Sequence, residues 1–350
     1  MIHLTRRQRL EARLARALLA LPAPLLSRLA GAPISRDGFT LDPQAQLILA
    51  LQRRLKKPAS HQLSLAQARA NLRVEAATLA AAPRPDVDAE DRAFDGPGGP
   101  LRLRIYRPRH VPAPAPALLY YHGGGFVLGD LDSHDDICQV LADDAGIVVI
   151  AVDYRLAPEH PFPAAVDDAL AALRYVHGRA AELGLDPSRL AVGGDSAGGN
   201  LAAVVALETR RQPVRPSFQL LIYPAVDLTM SFPSITSLGE GFFLERATIE
   251  WFVERYVPDP RQRRDPRASP YFCDDLAGAP PAFILTLGFD PLRDEGDAYA
   301  RRLEESGVLV EHRCYGDMFH GFVNTSGAIL RGAAALAELA AALRRSLVQR

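Results

Sequence analysis

Residues able to make and break an acyl bond recur at several well-separated points of this chain. Ser196 is the centre of Gly194-Asp195-Ser196-Ala197-Gly198, between an apolar run at 189–192 and a helix-like stretch at 200–207. That is a G-x-S-x-G match in a strand–turn–helix context. A strand turning sharply into a helix strains its central residue and tolerates only small neighbours, while the helix start offers free N–H groups. The pentapeptide alone would occur by accident in roughly one chain in ten of this length. Its weight depends on partners elsewhere.

A serine hydroxyl at its ordinary pKa needs a base, usually an imidazole held by a carboxylate. Downstream of Ser196 stand only His312 and His320. His312 falls inside the strand-like run 308–315, whereas His320 follows in a short loop, Gly316-Asp-Met-Phe-His-Gly-Phe322, where an imidazole could reach over a sheet edge. For the acid, Asp290 ends the apolar run 282–289, with Asp294 its competitor and Asp297 further along. Asp294 also suits the ordinary role of a helix N-cap. Acyl transfer further needs N–H donors for the tetrahedral oxyanion, each worth ~10²–10³ in rate. His122-Gly123-Gly124-Gly125, directly after the apolar run 117–121, supplies a turn whose bare backbone can converge on such an oxygen.

These residues need a scaffold, and the chain patterns as one. Runs at 87–94, 101–106, 117–121, 146–152, 189–192, 218–223, 282–287 and 308–315 read as strands. Helical stretches at 163–183, 200–207, 295–305 and 327–347 alternate with the later ones. Such alternation implies an α/β fold: a mostly parallel eight-stranded sheet with helices on both faces. Residues 1–82 read as helical, with strong stretches at 45–55 and 66–82, and are expected to form an N-terminal extension and cap. Residues 83–350 then form the catalytic domain. Within it the proline-rich segment 227–275, with a helical patch at 244–256, is expected to rise above the carboxyl edge of the sheet as a cap insertion.

Composition narrows the function. The 350 residues are 48% hydrophobic, enough for a large core, and the formal net charge of −1 gives no electrostatic case for nucleic acid. Three scattered cysteines argue against a disulfide framework or zinc site and fit a reducing, cytoplasmic setting. No apolar run is long enough to span a membrane. Arg6, Arg7, Arg9, Arg13 and Arg16 precede the apolar run 17–26, but Glu11, two prolines and Arg28 argue against a cleaved signal. Leu4, Leu10, Leu14, Leu18 and Leu21 fall roughly on one helical face, which is expected to cover the body, with membrane-surface contact the alternative.

Five motifs carry a resemblance. They are His122-Gly-Gly-Gly-Phe126, Asp153-Tyr-Arg-Leu-Ala-Pro-Glu-His-Pro-Phe-Pro-Ala-Ala165, Gly194-Asp-Ser-Ala-Gly-Gly199, Asp290-Pro-Leu-Arg-Asp-Glu-Gly296 and Phe319-His-Gly-Phe322. Together they resemble the hormone-sensitive-lipase-like family of α/β-hydrolases, from about residue 85 to the C-terminus and more loosely from Gly38. The resemblance implies a carboxylesterase of short- to medium-chain acyl esters, with Ser196, Asp290 and His320 as triad and no cofactor or metal. It implies an oxyanion hole from the N–H groups of Gly124, Gly125 and Ala197, with His122, Asp195 and Glu159 in support. It also implies a small-molecule ester as partner, and a homodimer. The basic first ~35 residues exceed the usual family pattern. Amidase or peptidase action, lactone hydrolysis on the same triad, or a non-catalytic receptor of the same fold are the competing readings.

Overall fold

Runs rich in β-branched and aromatic residues pair into one sheet in the computed structural model of the chain, which describes Ile2 and residues 4–349. Its strands are β1 (Val87–Gly96), β2 (Gly99–Pro108), β3 (Ala115–Tyr121), β4 (Val148–Val152), β5 (Leu185–Asp195), β6 (Phe218–Ile222), β7 (Ala282–Phe289) and β8 (Val310–Phe319). Their spatial order is β8-β7-β6-β5-β3-β4-β2-β1. β1 and β2 run antiparallel to their neighbours, and the others are parallel. The expected mostly parallel eight-stranded sheet is the one that forms.

The helices of eight or more residues are α1 (Arg6–Leu19), α2 (Ala23–Ala30), α3 (Pro43–Arg54), α4 (Leu65–Leu79), α5 (Asp135–Ala145), α6 (Ala164–Gly178), α7 (Ala197–Thr209), α8 (Arg246–Tyr256), α9 (Arg293–Glu305) and α10 (Leu330–Leu347). Every residue of β3 and β4 is buried, because helices cover both faces. Alternation decides which core each residue joins. Leu119, Tyr121 and Val192 pack with α6 and α7, and Leu118, Tyr120 and Ala191 pack with α5 and α10.

Three departures from the sequence pattern matter. The N-terminal part contains a hairpin as well as helices, Ser35–Arg36 pairing with Phe39–Thr40. Asp37-Gly38 makes its turn with both residues at positive φ, 51° and 82°, the pairing such a tight turn favours. Phe39 then fits against Gly316 so closely that a Cβ there would overlap its ring, and the Asp42 amide donates to the Asp317 carbonyl at 3.0 Å. β8 consequently runs to Phe319, past the expected end at 315, with an irregular register after Tyr315.

The expected leucine stripe is divided: Leu18 and Leu21 pack, partly buried, against the cluster of Leu19, Leu26 and Leu47, whereas Leu10 and Leu14 face solvent. The helix does pack on the body, burying Ala12 and Leu19, and Arg16 donates to the carbonyls of Thr78 and Ala80. Leu10 and Leu14 are 58% and 61% exposed. The alanine-rich side lets α1 approach α4 and leaves Leu10 and Leu14 outside. Finally, the helix expected at 163–183 stops at Gly178, and turns lead from there to Gly184 at φ 62°.

Candidate active site

The turn between β5 and α7 sets the position of Ser196. Its backbone stands at φ 56°, ψ −116°, a conformation a non-glycine residue adopts only under constraint. The constraint is visible at its neighbours. A Cβ on Gly194 or Gly198 would overlap the Tyr121 carbonyl oxygen, and one on Gly199 would meet Pro224 at 2.9 Å. Strand, turn and helix can thus close on each other only with glycine at these sites.

Above the turn, three side chains line up. The Ser196 hydroxyl lies 2.9 Å from Nε2 of His320, and Nδ1 of His320 lies 2.7 Å from Oδ2 of Asp290. Asp290 is fully buried at the end of β7, and its Oδ1 accepts the Leu292 amide at 2.8 Å, so its orientation is fixed. A carboxylate in this position requires the Nδ1–H tautomer of His320, leaving Nε2 to accept the serine proton. The competing residues are engaged elsewhere. His312 meets Thr286 Oγ1 at 2.9 Å and Asp297 Oδ1 at 3.2 Å, and Asp294 accepts the Ser234 amide at 3.0 Å.

The glycine loop after β3 lies beside the serine. Gly123 donates to Oδ1 of Asp195 at 2.9 Å, and a Cβ there would overlap the Asp195 carboxylate. Gly124 and Gly125 stand at φ 119° and 62°, and neither amide donates to another described residue. Ala197 is the first residue of α7, where an N–H has no partner within the helix. The ring of Phe252, from α8, packs on Gly125 so tightly that a Cβ there would overlap it.

A buried polar cluster underlies the loop. Asp195 also accepts Tyr120 Oη at 2.7 Å and faces His134 Nε2 at 3.3 Å. Burial alone would raise the Asp195 carboxyl, but the His134 charge and its hydrogen bonds hold it below the usual carboxylate range. Burial likewise disfavours the His134 cation, and Asp195 outweighs it, so His134 stands above its ordinary value. His122 is different: burial, with the His134 charge added, pushes it down and keeps it neutral. Its Nδ1 donates to the Gly123 carbonyl at 2.8 Å and its ring stacks on Tyr154 at 4.3 Å.

Glu159 is exposed, and its side chain is engaged away from the triad residues' hydrogen bonds. It forms a two-point ion pair with Arg69 of α4 at 2.8 Å, and Arg69 also donates to the carbonyls of Val127 and Ala157. Two further residues escaped the sequence reading. Asn200 donates to the carbonyls of Ala225 and Ala268, at 2.6 and 2.8 Å, and so ties the residues just before the 227–275 segment and its later part to α7. Glu295, fully buried, accepts the amides of Val226 and Asp227 at 2.7 and 3.1 Å, and burial pushes its carboxyl far up. Glu295 sits inside a recognised motif and Asn200 directly follows one, but their partners lie 25 to 69 positions off in sequence.

Known proteins resemble this chain over most of its length. A family described as having the alpha/beta hydrolase fold matches residues 118–324. The carboxylic ester hydrolase LipN of Mycobacterium tuberculosis is 44% identical, covering 91% of this chain and 86% of that one. An ethyl acetate hydrolase of Pseudomonas putida is 42% identical over 82% of this chain and 92% of its own. Among solved structures, an ester-hydrolase from the metagenome of Lake Arreo superposes with a TM-score of 0.84 at 42% identity, covering 87% of this chain and 98% of that one.

Proposed function

Because the chain belongs to the α/β-hydrolases, in their hormone-sensitive-lipase-like branch, we propose that it is a serine carboxylesterase working through Ser196, His320 and Asp290. The observation that carries this reading is the continuous hydrogen-bonded chain from the Ser196 hydroxyl through His320 to Asp290. Ser196 Oγ attacks the ester carbonyl while His320 Nε2 takes its proton. The N–H groups of Gly124, Gly125 and Ala197 stabilise the oxyanion. His320 protonates the departing alcohol, leaving an acyl-serine; it then takes a proton from a water that attacks the acyl carbon, and returns that proton to Ser196 Oγ as the acyl–Oγ bond breaks and the acid leaves. Asp290 holds the imidazole in its productive tautomer throughout.

Residues 1–82 and 227–275 act as the cap over this site. The His61–Thr248 hydrogen bond at 2.9 Å, which links the two segments, supports that division. Phe252 over Gly125 supports a confined acyl site and hence short- to medium-chain esters.

The test is Ser196→Ala assayed on p-nitrophenyl butyrate beside a matched anilide. A folded variant is expected to lose essentially all ester turnover, and the wild type is expected to favour ester over anilide. Appreciable turnover by folded Ser196→Ala would sink the assignment.

A further inference from the structure

The first 36 residues carry seven arginines and a single acidic residue, Glu11, in a chain whose net charge is −1. On α1, Leu10, Leu14 and Ala17 fall at i, i+4 and i+7 and make one outward stripe. Leu10 and Leu14 are 58% and 61% exposed, and Arg6, Arg7 and Arg13 flank them in solvent. On α2, Leu25 and Leu29 are also exposed, beside Arg28. Inner leucines of the two helices, Leu19 and Leu26, converge on Leu47 of α3, so both helices are held to the body by their other sides. Among the described residues, only Arg7 of the exposed arginines on these helices has a carboxylate partner, Glu11 at 2.8 Å.

From this arrangement we infer that the outer face of α1 and α2 docks on an anionic phospholipid bilayer. Exposed leucines interleaved with unpaired guanidinium groups are the two signals that peripheral binding combines: apolar insertion to headgroup depth and attraction to a negative surface. Other occupants fit less well. A nucleic acid would pair with the arginines but gain nothing from the leucines. A second copy of the chain would bury the leucines but set arginine against arginine. No helix among the described residues is long and apolar enough to cross a membrane, so the contact is interfacial.

The experiment is cosedimentation of the full chain with vesicles, read without substrate and therefore independent of the esterase reading. The wild type binds vesicles of equal parts phosphatidylcholine and phosphatidylglycerol at low salt, binds them less at high salt, and leaves pure phosphatidylcholine vesicles unbound. The paired substitutions Leu10→Gln with Leu14→Gln, and Arg9→Gln with Arg13→Gln, each weaken binding about tenfold or more. All lie on exposed positions, so the melting temperature and p-nitrophenyl butyrate turnover stay at wild-type values. Failure of the wild type to bind anionic vesicles at low salt overturns the proposal. So does leucine-paired variant binding equal to wild type, or a dimer in light scattering that the leucine pair dissolves while vesicles remain unbound.

Discussion

The amide of Gly123 donates to the carboxylate of Asp195 at 2.9 Å, locking the glycine loop to the residue that precedes Ser196. Nucleophile and candidate oxyanion donors are therefore fixed relative to each other by one side chain. That side chain also holds Tyr120 and His134, so it cannot be removed without stranding three buried partners.

Replacing it should separate loop geometry from charge. Asp195→Ala leaves the Gly123 amide, the Tyr120 hydroxyl and the His134 ring unpartnered. It should cost about 3–5 kcal/mol of stability, as breaking a buried charge pair does. With the loop released, kcat on p-nitrophenyl butyrate should fall by ~10²–10³, the loss of one oxyanion donor. Asp195→Asn keeps an acceptor for Gly123 and should retain far more activity. Equal kcat in Asp195→Ala and wild type, measured where both are folded, contradicts this role.

Phe252 should limit the length of acyl chain accepted. Its ring rests on Gly125, the candidate donor nearest the cap. Phe252→Ala opens space there, and each methylene newly buried contributes about 0.8 kcal/mol, or about fourfold in kcat/KM. The octanoate-to-butyrate ratio of kcat/KM should rise about tenfold or more. A profile from acetate to palmitate that keeps its wild-type shape rules Phe252 out as the wall.

Two glycines should respond in opposite directions to one methyl group. A Cβ at Gly198 would overlap the Tyr121 carbonyl oxygen and approach the His122 carbonyl at 2.8 Å, both rigid backbone. Gly198→Ala should distort the elbow, destabilise by several kcal/mol, on the order of 3, and abolish turnover. Gly178, the last residue of α6, has open space around it. There alanine should stabilise by about 0.5–1 kcal/mol by restricting the unfolded chain. Denaturant melts of the two variants check both signs.

Stability should fall on the alkaline side through His134. Its folded pKa is raised by Asp195, so its contribution is complete below the unfolded histidine value of about 6.5 and is lost as pH rises through the folded value. Asp195 has a depressed pKa, so its contribution is present above the unfolded carboxylate value of about 3.9 and lost as pH falls through the folded one. The pair is therefore strongest between those two unfolded values. Melting temperatures of the wild type and His134→Gln should lie furthest apart in mildly acidic buffer and converge as pH rises. A constant gap from pH 5 to 9 contradicts the charged pair.

Local chemistry made much of the molecule legible. Apolar runs marked the strands, and Asp290, Ser196 and His320 were recognisable as candidates at strand ends and in the elbow motif. Short-range sterics explain that legibility: a Gly-rich turn and a buried strand impose residue types within a few positions of themselves. The hairpin at Asp37-Gly38 was readable on the same basis, but it was masked by the surrounding helical pattern. Other features depend on partners tens of positions or more away in the chain, or on which side of an element meets the body. Periodicity grouped the leucines of α1 without indicating the direction they face, because packing of Ala12 against the body competes with burial of Leu10 and Leu14. The anchoring by Asn200 and Glu295, the seat of Phe252 on Gly125 and the charged Asp195–His134 pair likewise exist only once the sheet has brought those segments together. The sequence by itself determined the strand pattern, the elbow and the candidate triad. The tertiary structure alone decided which faces are buried, since burial is a contest among all surfaces of the chain for a single core.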